Sequence, residues 1–212
     1  MMPILARSFL LMCFLAVLPA HAEEIVAPDV LAKNVTEEVL AILRADRDIQ
    51  ASDSGKAAEL IETKILPHFN FQTMTRLVIG RNWAQATPAQ RNALTSEFRT
   101  LLVRTYTASL TLYRDQTIDY RPVKLTPGAA DVVVKSMVRQ ARGEPISVDY
   151  AMEKTGGGWK VYDVKVAGIS LVENYRSTFN AEVQRSGIDG LIRALAEKNR
   201  ALAAKRRAMV QT

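Results

Sequence analysis

Ile146-Ser147-Val148-Asp149-Tyr150-Ala151-Met152-Glu153-Lys154 decides the fold class of this 212-residue chain. Ile, Val, Tyr and Met alternate with Ser, Asp, Ala and Glu, the period-2 pattern of a strand with one apolar and one wetter face. Gly143-Glu144-Pro145 stands before it and Gly156-Gly157-Gly158 after it, so turn chemistry bounds it at both ends. Outward from this run, residues 131–140 and 159–166 read as its neighbouring strands. Residues 117–125 form a fourth, set off by Pro127-Gly128. Connections this short cannot hold crossover helices, which makes the sheet an antiparallel meander.

Helical signals flank the strands on both sides. Pro28 suits a first helical turn, and Val35, Val39, Ile42 and Leu43 recur on one face behind it. A second helix is expected from Ser52 or Asp53 through Leu60, Ile61 and Ile65, stopping near Pro67. Asn70 caps a short helix that ends at Gly80. Thr87-Pro88-Ala89-Gln90 is a capping box opening a long helix with Leu94, Phe98, Leu101, Leu102 and Thr105 inward, and Trp83 is expected to pin the loop before it. Two helices, 170–186 and 189–207, close the chain. The expected architecture is α+β: one domain, with a four-stranded antiparallel sheet wrapped by helices.

Residues 1–22 read as an export signal. Arg7 supplies the positive start, Phe9 to Leu18 an apolar run too short to span a bilayer, and Ala20-His21-Ala22 the cleavage pattern. Cleavage after Ala22 removes Cys13, the sole cysteine, and leaves His68 as the sole histidine in the domain at 23–212. Thiolate nucleophiles, disulfides and zinc sites of the usual kind then have no residues to use. Charge divides as sharply. The whole chain carries a formal +6, yet residues 190–212 hold six basic side chains against Glu197. The expected domain is therefore neutral in its body, with a basic C-terminal helix.

Few groups offer chemistry. Gly168-Ile169-Ser170-Leu171-Val172 sits between strand and helix, where a hydrolase nucleophile elbow would stand, but the closing glycine is missing. Ser170-Leu171-Val172-Glu173 also reads as a capping box, which needs only the serine hydroxyl and a backbone amide. Asp149, Glu153 and Asp163 could supply a carboxylate pair, although alternation puts the first two on the wetter strand face. The Gly156-Gly157-Gly158 run lacks the lysine and helix of a phosphate loop. Export also sets aside nucleic acid as a partner. A lipid hydrolase or acyltransferase using Ser170 and His68, and an adaptor domain without a cavity, stay open beside a non-enzymatic binding role.

Two long stretches carry a resemblance. One runs from Ala86-Thr87-Pro88-Ala89-Gln90-Arg91 through Phe98-Arg99 and Tyr106 to Tyr113. The other comprises Gly158-Trp159-Lys160-Val161-Tyr162-Asp163-Val164, Gly168-Ile169-Ser170-Leu171, Tyr175-Arg176 and Gly187-Ile188-Asp189-Gly190-Leu191. Together with the export signal and the element order, they resemble the MlaC family, periplasmic phospholipid-binding proteins of the Mla lipid-transport system. The resemblance implies a nuclear-transport-factor-like fold, a strongly curved sheet wrapped by helices around acyl chains, with no cofactor or metal. It also implies a periplasmic shuttle between an outer-membrane lipoprotein complex and an inner-membrane ABC transporter, serving outer-membrane lipid asymmetry.

The physics suits that role. Two acyl chains of about 15 methylenes each represent roughly 25 kcal/mol of apolar transfer, so unaided passage through water is very slow. A carrier needs apolar wall, not a nucleophile. The expected wall comprises Leu77, Val78, Phe98, Leu101, Leu102 and Thr105 on helices and Val134, Val148, Tyr150, Met152 and Val164 on the sheet. Ile169, Leu171, Val172, Tyr175 and Phe179 complete it. Arg200, Lys205, Arg206 and Arg207 are the candidates for docking on anionic headgroups or acidic partner faces.

Overall fold

The computed structural model describes residues 25–50, 54–111, 116–140 and 143–210. The expected signal segment, its cleavage site and the expected start of the second helix at Ser52 or Asp53 lie outside those residues.

Helix α1 (Pro28–Ala45) starts on the proline that sequence places in its first turn. Short helices α2 (Arg47–Gln50) and α3 (Ser54–Leu60) follow, and the chain then loosens into a π turn, Ile61–Ile65, and a 3-10 turn, Leu66–His68. Asn70 caps α4 (Phe71–Ile79), its side-chain oxygen accepting the Thr73 amide at 3.1 Å. Helix α5 (Pro88–Thr111) opens on the capping box: Gln90 N–H donates to Thr87 Oγ1 at 3.2 Å, and Thr87 N–H donates to Gln90 Oε1 at 3.0 Å. Trp83 does pin the preceding loop. Its carbonyl accepts from Arg91 Nε at 3.1 Å, and its ring lies under the Arg91 guanidinium at 5.4 Å.

The sheet is an antiparallel meander in chain order: β1 (Thr117–Tyr120), β2 (Asp131–Arg139), β3 (Ile146–Thr155), β4 (Gly158–Val166) and β5 (Ile169–Ser170). This corrects the expected four strands to five. The extra strand is two residues long, too short for a period-2 pattern to reveal. β1 is shorter than the expected 117–125, because Pro122 offers no amide to the ladder and the Val123 amide donates to the Asp29 carboxylate at 3.1 Å.

Register puts Ile146, Val148, Tyr150 and Met152 of β3 on one face with Val138, Ser136, Val134 and Val132 of β2. On β4, Val161 opposes Met152 and Val164 opposes Tyr150, although three residues apart. A bulge at Tyr162 absorbs the odd residue. Both valines therefore share the apolar face.

Helix α6 (Leu171–Val210) carries both expected C-terminal helices, joined at Gly187 with φ 70° and ψ −178°. That backbone conformation is essentially confined to glycine. Two cores result. The helices α4, α5 and α6 pack on one another through Met74, Val78, Ile79, Leu94, Phe98, Leu101, Leu102, Val172, Phe179, Leu191 and Leu195. The apolar sheet face packs beneath the start of α1 through Val134, Met152, Trp159, Val161 and Val164, with Leu31 and Ala32 above.

Candidate functional site: an apolar cavity between α1 and the sheet

The helical core is packed around Phe98. The Phe98 ring meets Tyr175 at 5.3 Å and Phe179 at 5.2 Å, both edge-on. Leu77, Val78, Phe98, Leu101, Leu102, Val172, Tyr175 and Phe179, all expected in the cavity wall, belong to this packed cluster. The correction has a simple cause. Amphipathic spacing marks the buried stripe of a helix and is silent on which element covers it. Thr105 is exposed. Ile169 is 65% exposed.

Space lies instead across the sheet. A cavity of about 490 Å³ is held between α1, the Ile65–Phe69 segment and the apolar sheet face. Leu31, Val35, Val39 and Leu43 line it at four-residue spacing on α1, with Ala32, Thr36 and Leu40 beside them. The sheet contributes Ile118, Val138, Ile146, Val148, Tyr150, Met152, Val161 and Val166. Of the sixteen expected wall residues, the structure brings Val148, Tyr150 and Met152 together in this lining. Val134, Val164 and Leu171 sit in or against the sheet core behind it. The α1 stripe was available as a signal: Val35, Val39 and Leu43 recur on one face of the sequence. Which sheet face that helix meets was not.

Depth is graded. Met152 and Val161 are nearly fully buried, whereas Gln140 and Val166 are exposed, which places the mouth where β2 ends and β4 ends. Among the described residues no Asp, Glu, Lys or Arg lines the cavity. Its hydroxyls are satisfied within the wall. Thr36 Oγ1 and Tyr120 OH are 2.6 Å apart, Tyr120 stacks on Tyr150 at 6.4 Å, and the Tyr150 hydroxyl lies in hydrogen-bonding reach of Tyr120 and Ser136. Burial pushes the Tyr150 and Tyr120 hydroxyls above the ordinary tyrosine range, so both stay protonated. His68 lines the wall, and burial followed by the nearby Lys160 cation lowers its pKa, favouring neutral imidazole.

The nucleophile reading finds no support in this geometry. Ser170 is buried, donates to Asp163 Oδ2 at 2.6 Å and accepts the Glu173 amide at 3.0 Å, the capping box expected from sequence. It does not line the cavity that His68 lines. Asp163, weighed from sequence as half of a carboxylate pair, instead takes Ser170 Oγ and the Val172 amide, fastening β4 to the start of α6. Glu153 accepts from Asn70 Nδ2 at 2.7 Å. Among the described residues no cluster of His, Cys, Asp and Glu is placed to hold a metal ion. The basic residues Arg200, Lys205, Arg206 and Arg207 lie at the far end of α6 in the helical layer, away from the cavity lining.

An antiparallel sheet, a covering helix and an interior of hydrocarbon define a binder of an apolar ligand. The sequence model of the MlaC protein family matches residues 33–197, and the chain belongs to that family. It is 26% identical over 188 residues to the intermembrane phospholipid transport system binding protein MlaC of Haemophilus influenzae, covering 87% of each chain. It is 28% identical over 191 residues to the toluene tolerance protein Ttg2D of Pseudomonas putida, covering 89% of this chain and 87% of that one. A solved phospholipid-binding protein from Ralstonia solanacearum, in complex with a phospholipid, shares 38% identity and a TM-score of 0.76, over 82% of this chain and 98% of that one.

Proposed function

We propose that this protein is a periplasmic phospholipid-binding transport protein of the Mla system, a carrier that performs no covalent chemistry on its cargo. The observation that carries the reading is the cavity of about 490 Å³ with a wall of aliphatic side chains and internally satisfied hydroxyls. The phospholipid held by the Ralstonia solanacearum relative supports it. Each acyl methylene moved from water to such a wall gains about 0.8 kcal/mol, and the charged headgroup stays in water at the mouth. Contacts of this kind are non-directional, which favours diacyl lipids as a class over one headgroup.

The finer reading is that the loaded carrier crosses the periplasm between the outer-membrane Mla lipoprotein complex and the inner-membrane Mla ABC transporter. Export by a signal at residues 1–22 delivers it there. Exposed Arg200, Lys205 and Arg207, with Arg206 beside them, offer a cationic surface for acidic partner faces or anionic headgroups. Native mass spectrometry of the purified exported chain tests the central statement. Co-purifying phospholipid, or uptake of added phospholipid at one carrier per lipid, is expected; a chain that stays lipid-free under both conditions sinks it. Truncation after Arg200 tests the tail, with slower transfer at low salt and little change at high salt expected.

A further inference from the structure

The cavity wall does not stop at the cavity. Val166 lines the mouth and is 42% exposed, and its cross-strand partner on β5 is Ile169, 65% exposed. Cross-strand partners share a sheet face, so Ile169 extends the apolar face past the rim and out to the sheet edge. The turn between them, Ala167-Gly168, has φ of 50° and 82°. Positive φ at both central residues is the tight hairpin geometry that matches strand twist, unfavourable at an alanine and yet kept.

This tip is also braced. Ala167 N–H donates to Ser147 O of β3 at 2.9 Å, and Ser170 directly behind the tip is clasped by Asp163. An exposed isoleucine on a braced turn presents a fixed shape, and a fixed apolar shape at a cavity mouth is what a partner can recognise at small entropic cost. Local charge argues for the kind of partner. Lys165 flanks the tip, but Asp149 lies opposite it across β3–β4 and Glu173 is exposed in the first turn of α6. No aromatic ring stands between Lys165 and Ser170. Anionic bilayers select clusters of cations with aromatic or leucine anchors, which this tip lacks.

We propose that the β4–β5 turn, with Ile169 at its tip, is a docking point for a lipid-handling protein whose own opening has an apolar rim. Contact there lines up the two openings, so a chain leaving past Val166 meets Ile169 and then the partner without crossing water. The inference rests on the phospholipid-carrier reading.

Ile169→Ser tests it, with Val133→Ser as the control, since Val133 is 46% exposed on the opposite sheet face. Each chain is loaded with fluorescent phosphatidylglycerol and mixed with nanodiscs containing the Mla ABC transporter, or with empty nanodiscs of the same lipid. Expected are equal loading of all three proteins, transfer to transporter nanodiscs slowed about tenfold or more in Ile169→Ser alone, and equal transfer to empty nanodiscs. A loaded Ile169→Ser protein that transfers at the wild-type rate overturns the docking point and leaves the carrier reading standing. Equal slowing on empty nanodiscs overturns it in favour of direct bilayer contact. A wild-type chain that takes no lipid ends both readings.

Discussion

Thr36 Oγ1 and Tyr120 OH lie 2.6 Å apart across 84 residues of sequence, joining the middle of α1 to the edge strand β1. About two turns earlier on α1, the Asp29 carboxylate accepts the Val123 amide. These two bonds hold the first half of the helix over the sheet, and its residues from Leu31 to Leu43 roof the cavity. The roof is thus hinged on polar contacts, with a further ion pair between Glu38 and Lys64 Nζ at 2.6 Å, and the rest of its inner side is hydrocarbon.

Loss of the Thr36 hydroxyl should loosen that roof. Thr36→Val is expected to cost about 1 kcal/mol of stability and to speed release of bound phospholipid. Urea denaturation reads the first and stopped-flow lipid release the second. A destabilised variant with an unchanged release rate would separate the hinge from the cavity.

Filling and emptying should have opposite signatures. Val148→Trp places an indole in the cavity, so phospholipid occupancy by native mass spectrometry should fall sharply while the melting temperature of the lipid-free protein holds. Phe98→Ala empties the helical core and should cost about 3–5 kcal/mol. It should leave the occupancy of the remaining folded protein near wild type.

Ser170 is a structural residue by its contacts with Asp163 and the Glu173 amide. Ser170→Ala should cost about 0.5–2 kcal/mol through the lost α6 cap, and more if the Asp163 carboxylate finds no other donor. Phospholipid hydrolysis should be at background in both wild type and variant. Robust wild-type hydrolysis lost in Ser170→Ala would reinstate the nucleophile.

His68 makes stability depend on pH. Its pKa is lower in the folded chain than in the unfolded one, by burial first and the Lys160 cation second. Below the ordinary histidine pKa of about 6.5 the unfolded chain takes up the proton first, so folding loses stability as pH falls through that value. The loss levels off below the folded pKa. Denaturation midpoints measured between pH 7.5 and 5 should show this decline, and His68→Gln should flatten it.

The Gly187 joint is sensitive too. An alanine at φ 70° and ψ −178° is strained, by about 1–3 kcal/mol, so Gly187→Ala should lower the thermal midpoint. It should also shift the two halves of α6 relative to each other, read by crosslinking engineered cysteine pairs between α5 and α6.

Much of the scaffold was legible because its signals are local. The Thr87–Gln90 box, the Asn70 cap, the Ser170 cap and the β2–β3–β4 runs each depend on residues within a few positions of one another. The cavity was not. Phe98 and Val39 look alike in sequence, apolar residues at helical spacing, yet one is sealed by Tyr175 and Phe179 and the other lines the cavity. Asp163 was equally opaque: an acidic residue in a strand run, whose burial comes from Ser170 and the Val172 amide beyond the next turn.

By itself, then, the sequence determined the α+β class, the order and direction of the strands, the helix caps, and an inventory poor in nucleophiles and metal ligands. Those properties follow from periodicity and short-range hydrogen bonding, which a chain carries before it folds. Only the tertiary structure decided that α1 roofs the sheet while α4, α5 and α6 pack on one another, that a hollow lies under the first, and that Ile169 stands out at its rim. Burial is set by what a residue meets, and for Thr36 that partner, Tyr120, lies 84 residues away along the chain.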